Sequence, residues 1–127
     1  MPAKCLIAEA DPFLASLLVR FADECGITSA RARTGEEVLA LMRRDNPSVL
    51  IVDPELPGEQ RGWEIVRTMR SSGAIGDMRV ISCSWLECAE VRALIGDVAW
   101  HLQKPDLQFA DFVDAIAAAG VNTQGGA

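Results

Sequence analysis

Four side chains able to do chemistry each close a short, largely apolar run. Glu9 follows Leu6-Ile7-Ala8, and Asp53 follows Val49-Leu50-Ile51-Val52. Ser84 follows Arg79-Val80-Ile81-Ser82-Cys83, and Lys104 follows Val98-Ala99-Trp100-His101-Leu102-Gln103. Runs of that length and character read as strands buried on both faces, as in a central parallel sheet. The residue that ends such a strand stands at the carboxyl edge of the sheet, where open α/β folds bind ligands. Two carboxylates, a hydroxyl and an ammonium on one edge make a polar crevice. Asp53 is the most pointed of the four, because Pro54-Glu55-Leu56-Pro57-Gly58 turns the chain immediately after it. A purely structural role competes with the functional one: Asp53 caps the next helix or holds the turn.

The elements that must carry these ends alternate strand and helix. Asp11-Pro12 opens the first helix, with Pro in its first turn, and Phe13, Leu14, Leu17, Leu18 and Phe21 form its stripe. Gly26 stops it, and residues 27–32 make a weaker strand. Thr34-Gly35-Glu36-Glu37 has capping-box spacing ahead of a second helix carrying Val38, Leu39, Leu41 and Met42, which ends at Asn46-Pro47. A third helix runs from about Gly62 to Ser72, and a fourth from Leu86 to Ile95. Asp106 caps the last helix, whose stripe is Phe109, Phe112, Val113 and Ile116. Five such units predict a parallel sheet covered by helices on both sides. The expected fold is a flavodoxin-like (βα)5 three-layer α/β sandwich with strand order 2-1-3-4-5, whose switch point lies between the strands ending at Glu9 and Asp53. The expectation is a single domain over 1–127, with its core at about 4–119 and a flexible glycine-rich tail at 120–127.

Composition narrows the function. A net charge of −6 and a pI near 4.7 oppose non-specific binding to nucleic-acid phosphates. No apolar run reaches membrane-spanning length and no signal-peptide region opens the chain, so the expected setting is cytoplasmic. The single histidine limits metal and general-base chemistry. Cys5, Cys25, Cys83 and Cys88 lie in apolar segments without zinc-like spacing and read as reduced, packed thiols.

Together these pieces resemble the receiver domains of bacterial response regulators, in a divergent form. The matching residues are Leu6-Ile7-Ala8-Glu9 with Asp11-Pro12, Val52-Asp53 with Leu56-Pro57-Gly58, Val80-Ile81 leading to Ser84, and Leu102-Gln103-Lys104-Pro105. The resemblance implies that Asp53 accepts a phosphoryl group from a histidine kinase or phosphotransfer protein. It implies that Lys104 pairs with Asp53, that Ser84 and Lys104 contact the phosphoryl group, that His101 stands at the aromatic switch position, and that Lys104-Pro105 is a cis peptide. Mg²⁺ would be held by Glu9, Asp53, Glu55 through backbone or side chain, and Asp11. The module is then no enzyme, and it signals by docking to a downstream protein target. It has no DNA-binding domain in this chain and no membrane partner, and a homodimer through the face of the fourth helix, fifth strand and fifth helix is one assembly it allows.

The pattern breaks around the same pocket. Ala10 stands where the family's second acidic residue falls, Trp85 follows the switch hydroxyl where a small residue is usual, and Pro54 removes an N–H from the loop. Weakened or absent Mg²⁺ binding is one expectation, and a phosphorylation-independent pseudo-receiver, an interaction module on the same scaffold, is the alternative function. A flavin carrier of the same topology fits poorly, because Glu9-Ala10-Asp11-Pro12 would repel a phosphate.

Overall fold

The computed structural model describes residues 2–123. Strands and helices alternate as β1 (Cys5–Ala8), α1 (Pro12–Glu24), β2 (Ser29–Ala32), α2 (Gly35–Asp45), β3 (Val49–Val52), α3 (Gly62–Ser72), β4 (Arg79–Ser84), α4 (Cys88–Ile95), β5 (Trp100–Gln103) and α5 (Phe109–Ala118). The strands form one parallel sheet in the order β2-β1-β3-β4-β5, the flavodoxin-like (βα)5 arrangement. Ala8 pairs with Val52, Val52 with Ser82, and Ser84 with Gln103. The ends of β1 and β3 are therefore level, and β4 runs on past them to Ser84.

Alternation along the strands builds two cores. Cys5, Ile7, Val49, Ile51, Ile81 and Cys83 pack against α1 and α5, where Leu14, Leu18, Phe112 and Ile116 lie. Leu6, Ala8, Leu50, Val52 and Val80 face the other way, onto Val38 of α2, Ile65, Val66 and Met69 of α3, and Val91 and Ile95 of α4. Helices on both faces explain why β1 and β3 read as unbroken apolar runs. Burying each of these aliphatic side chains contributes about 1.5–3 kcal/mol before entropy is counted. No helix among the described residues is long and apolar enough to cross a membrane.

Several local expectations need correction. Phe13 is 76 % exposed, because the buried stripe of α1 runs through Leu14, Ala15, Leu18, Phe21 and Ala22 and leaves residue 13 on the open side. Val113 is exposed too, since the buried stripe of α5 runs through Phe112, Ala115 and Ile116. Asp106 does not cap α5: Gln108 precedes the helix, and the Asp106 carboxylate accepts a bond from the Gln108 side chain at 2.6 Å. At α2 the Thr34 hydroxyl accepts from Glu37 N, but the Glu37 carboxylate reaches Arg33 N instead of Thr34, so only half of a capping box forms. The thiols of Cys5, Cys25 and Cys83 are buried and unpaired, and burial pushes Cys5 and Cys83 up to about 12. Residues 124–127 of the tail expected to fray lie outside the described residues, whereas Val121 is buried against α5, its N–H bonded to Ile116 O.

Candidate functional site

At the carboxyl edge of the sheet, one ammonium joins two carboxylates. The chain passes Val52 and stays in the sheet for one more bond, Asp53 N to Ala8 O at 3.1 Å. It then turns, with Leu56 N donating to Asp53 O. Asp53 Oδ1 accepts from Glu55 N at 2.8 Å, so this carboxylate does hold its own turn. Its other oxygen, Oδ2, lies 2.7 Å from Lys104 Nζ. The same nitrogen lies 2.7 Å from Glu9 Oε1 as an ion pair, and that buried oxygen has no hydrogen-bond partner among the described residues. Glu9 Oε2 accepts from Asp11 N at 2.9 Å.

Both acids come from neighbouring central strands, and the lysine arrives from β5 after Lys104 N has bonded Ser84 O. The Lys104–Pro105 peptide is cis. The Lys104 side chain is only 3 % exposed, and Glu9 is equally enclosed. The Asp53 side chain is the open member at 12 %. Burial alone would lower the lysine pKa, but its bonds to Asp53 and Glu9 outweigh that and hold it above the usual value. An isolated buried charge would cost several kcal/mol, so the three groups depend on one another.

The remaining expected residues sit nearby with different partners. Ser84 is fully buried, and its hydroxyl accepts from Leu86 N at 3.0 Å. Asp11 is exposed, and its carboxylate caps α1 by accepting from Phe13 N and Leu14 N. Glu55 is exposed, with its backbone N–H turned to Asp53. His101 is half-buried and bonds Ser82 through Nδ1 and Gln103 through Nε2. Trp85 is 60 % exposed and does not pack away under α4.

Two residues at this edge carried no sequence signal. Gln103 donates through Nε2 to Ser84 O and Trp85 O, tying the end of β5 to the β4–α4 loop. Arg31 on β2 donates to Glu9 O and Ala10 O, holding the β1–α1 loop. Nothing in their types or spacing marks them, because both act across strands on backbone carbonyls.

A divalent cation fits this donor set poorly. Mg²⁺ wants octahedral hard oxygens, one or two of them carboxylates. Among the described residues no group of three or more His, Cys, Asp or Glu side chains converges to hold a metal ion. Glu9 and Asp53 share an ammonium, Asp11 caps a helix, and residue 10 is alanine.

The family model described as response regulator receiver domain matches residues 5–117. A search of curated proteins returns no match. Among solved structures, the Vibrio cholerae chemotaxis protein CheY4 superposes with a TM-score of 0.79 at 17% identity, over 94% of this chain and 99% of that one. The receiver domain of Francisella response regulator 1452 gives 0.76 at 23% identity, covering 93% and 97%. A DNA-binding response regulator of the LuxR family from Staphylococcus aureus gives 0.76 at 23%, covering 92% and 98%.

Proposed function

The chain belongs to the response regulator receiver domain family, and on that premise we propose that it takes a phosphoryl group on Asp53 from a histidine kinase or phosphotransfer protein and signals by docking to another protein. One observation carries this reading. The only partly open acid of the buried triad, Asp53, ends the central strand β3 with an ammonium 2.7 Å away. A carboxylate oxygen of Asp53 would attack the phosphorus of the donor. The P–O bond forms as the P–N bond to the donor imidazole breaks, and the imidazole nitrogen keeps the electron pair. Two anions meet in that step, and a positioned cation offsets their repulsion. Lys104 is in place to do so, and its raised pKa keeps it charged at neutral pH. Receiver domains generally bind Mg²⁺ at the phosphorylation site.

Ser84 ends β4 beside Lys104, where a rotation of its hydroxyl away from Leu86 N would let it bond a phosphoryl oxygen. His101 and Gln103 would relay that change along β5 to the surface of α4, β5 and α5, the face assigned to a target protein or a second copy. The test is intact mass after acetyl phosphate or phosphoramidate treatment, for wild type and Asp53→Asn. One phosphoryl adduct in wild type and none in the variant is expected. No adduct with either donor, or one that survives the substitution, would sink the phosphoacceptor role. In the first case the docking module without phosphorylation takes its place, a reading that draws on the ion pairs of Glu9 and Asp53 with Lys104 in the unmodified chain.

A further inference from the structure

We infer that this pocket works without a divalent cation, the Lys104 ammonium standing in the place between Glu9 and Asp53 that a metal would need. The inference rests on the receiver reading and concerns the same site. Its ground is an inventory of oxygens. Glu9 Oε1 and Asp53 Oδ2 are both 2.7 Å from one nitrogen. Glu9 Oε2 is bonded to Asp11 N and Asp53 Oδ1 to Glu55 N. The backbone carbonyls of Glu9 and Ala10 face the Arg31 guanidinium. Ala8 O receives Asp53 N, Asp53 O receives Leu56 N, and Pro54 O receives Trp63 N.

Most of these oxygens therefore face a protein donor already, two of the groups that face them are cations, and Glu9 Oε1, which has no hydrogen-bond partner, meets the Lys104 ammonium as an ion pair. The charges agree with the inventory. Glu9, Asp53 and Lys104 sum to one negative charge, so a divalent ion would leave the buried group net positive beside a fixed ammonium. A third carboxylate would reverse that balance. Ala10 is the position to supply it, being exposed and next to Glu9 at the rim, so a longer polar side chain there meets no packing constraint. Asp11 does not supply it, because its carboxylate holds the first turn of α1.

Calorimetric titration with MgCl₂, and Mn²⁺ titration followed by electron paramagnetic resonance, read binding directly in wild type and in Ala10→Asp. Wild type is expected to show no saturation through the millimolar range, and Ala10→Asp to bind at least about tenfold more tightly. Saturable millimolar binding by wild type overturns the inference, and so does a variant that binds no better than wild type. Phosphoramidate labelling with MgCl₂ or with EDTA separates this from the phosphoacceptor reading. Labelling of wild type at equal rates in both supports the inference, and labelling only with Mg²⁺ overturns it. An absence of label in both would fail the phosphoacceptor reading and leave the binding titrations to decide the metal question.

Discussion

His101 Nδ1 lies 2.7 Å from Ser82 Oγ, a hydroxyl on the adjacent strand with no solvent exposure. The rest of the network assigns the ring. Gln103 Nε2 has two hydrogens, and the carbonyls of Ser84 and Trp85 at 3.2 and 3.0 Å take them. Gln103 Oε1 is then an acceptor, so His101 Nε2, 3.1 Å away, carries the ring proton. Nδ1 accepts from the Ser82 hydroxyl. A chain of bonds thus runs from inside β4, through two side chains of β5, to the loop that holds Ser84 and Trp85.

Removing the amide should loosen that loop and little else. Gln103→Ala deletes two bonds, each worth about 1 kcal/mol at most and less at an exposed position. Native-state hydrogen exchange at Leu86 N and Glu87 N is expected to speed up, while exchange in β1 and β3 stays unchanged. His101→Phe keeps a ring but removes the histidine's bonds to Gln103 Oε1 and Ser82 Oγ, the latter keeping only its long bond to Trp100 O, and should give a smaller acceleration at the same two amides. Unaltered exchange in both variants would show that the loop is held by other contacts.

What the sequence revealed, and what it hid, divides along physical lines. The strands were legible because burial on both faces writes an unbroken apolar run, as in Val49 to Val52. The convergence of Glu9, Asp53 and Lys104 followed from strand order alone, since parallel strands bring their carboxyl ends to one edge. The resemblance implied that Lys104 pairs with Asp53, but its pairing with Glu9 as well was not legible, because side-chain reach after a strand end is set by the loop. Arg31 and Gln103 were hidden for a related reason: their partners are backbone carbonyls 22 and 18 residues away, and carbonyls have no sequence identity. Phe13 misled because an apolar residue at the margin of a helical stripe reads the same whether it falls on the buried or the open side.

Lys104 should also give the fold a characteristic alkaline limit. Burial works against its charge, but Asp53 and Glu9 together raise its pKa above the ordinary lysine value. A proton held more tightly in the folded state stabilises the fold fully below the unfolded pKa of about 10.4, and that contribution fades as pH climbs through the higher folded value. The chain has no tyrosine in this range, and the buried Cys5 and Cys83 thiols, pushed up to about 12, add their own alkaline fall in wild type and variants alike. Urea midpoints are expected to hold steady on this account up to the ordinary lysine value and fall beyond it. Lys104→Met should lose about 3–5 kcal/mol at neutral pH by stranding two buried acids, and should lack this group's share of the alkaline fall. Adding Glu9→Gln and Asp53→Asn should restore much of the loss. A Lys104→Met protein as stable as wild type would mean that water reaches the acids and the triad is not closed.

Gly62 tests how the floor of the site is built. It begins α3 directly beneath the turn after Asp53, and a Cβ there would fall on Asp53 O, with Leu56 Cβ at 3.0 Å and the Pro54 carbonyl carbon at 3.2 Å. Two effects of Gly62→Ala oppose each other. Alanine favours a helix over glycine by about 1 kcal/mol, and overpacking against rigid backbone costs about 1–3 kcal/mol. The obstacle is backbone and cannot swing aside, so the substitution should destabilise, and its strain should move Asp53 relative to Lys104. Gly73→Ala is the control. It meets nothing within 4 Å but sits at φ +79°, so it should destabilise by backbone strain alone, about 1–2 kcal/mol. Nitrogen-15 chemical shifts of the Lys104 ammonium, read alongside urea unfolding, separate the two. Gly62→Ala is expected to shift that resonance and Gly73→Ala to leave it in place. If Gly62→Ala is as stable as wild type with the resonance unmoved, the packing of α3 beneath Asp53 is looser than these distances imply.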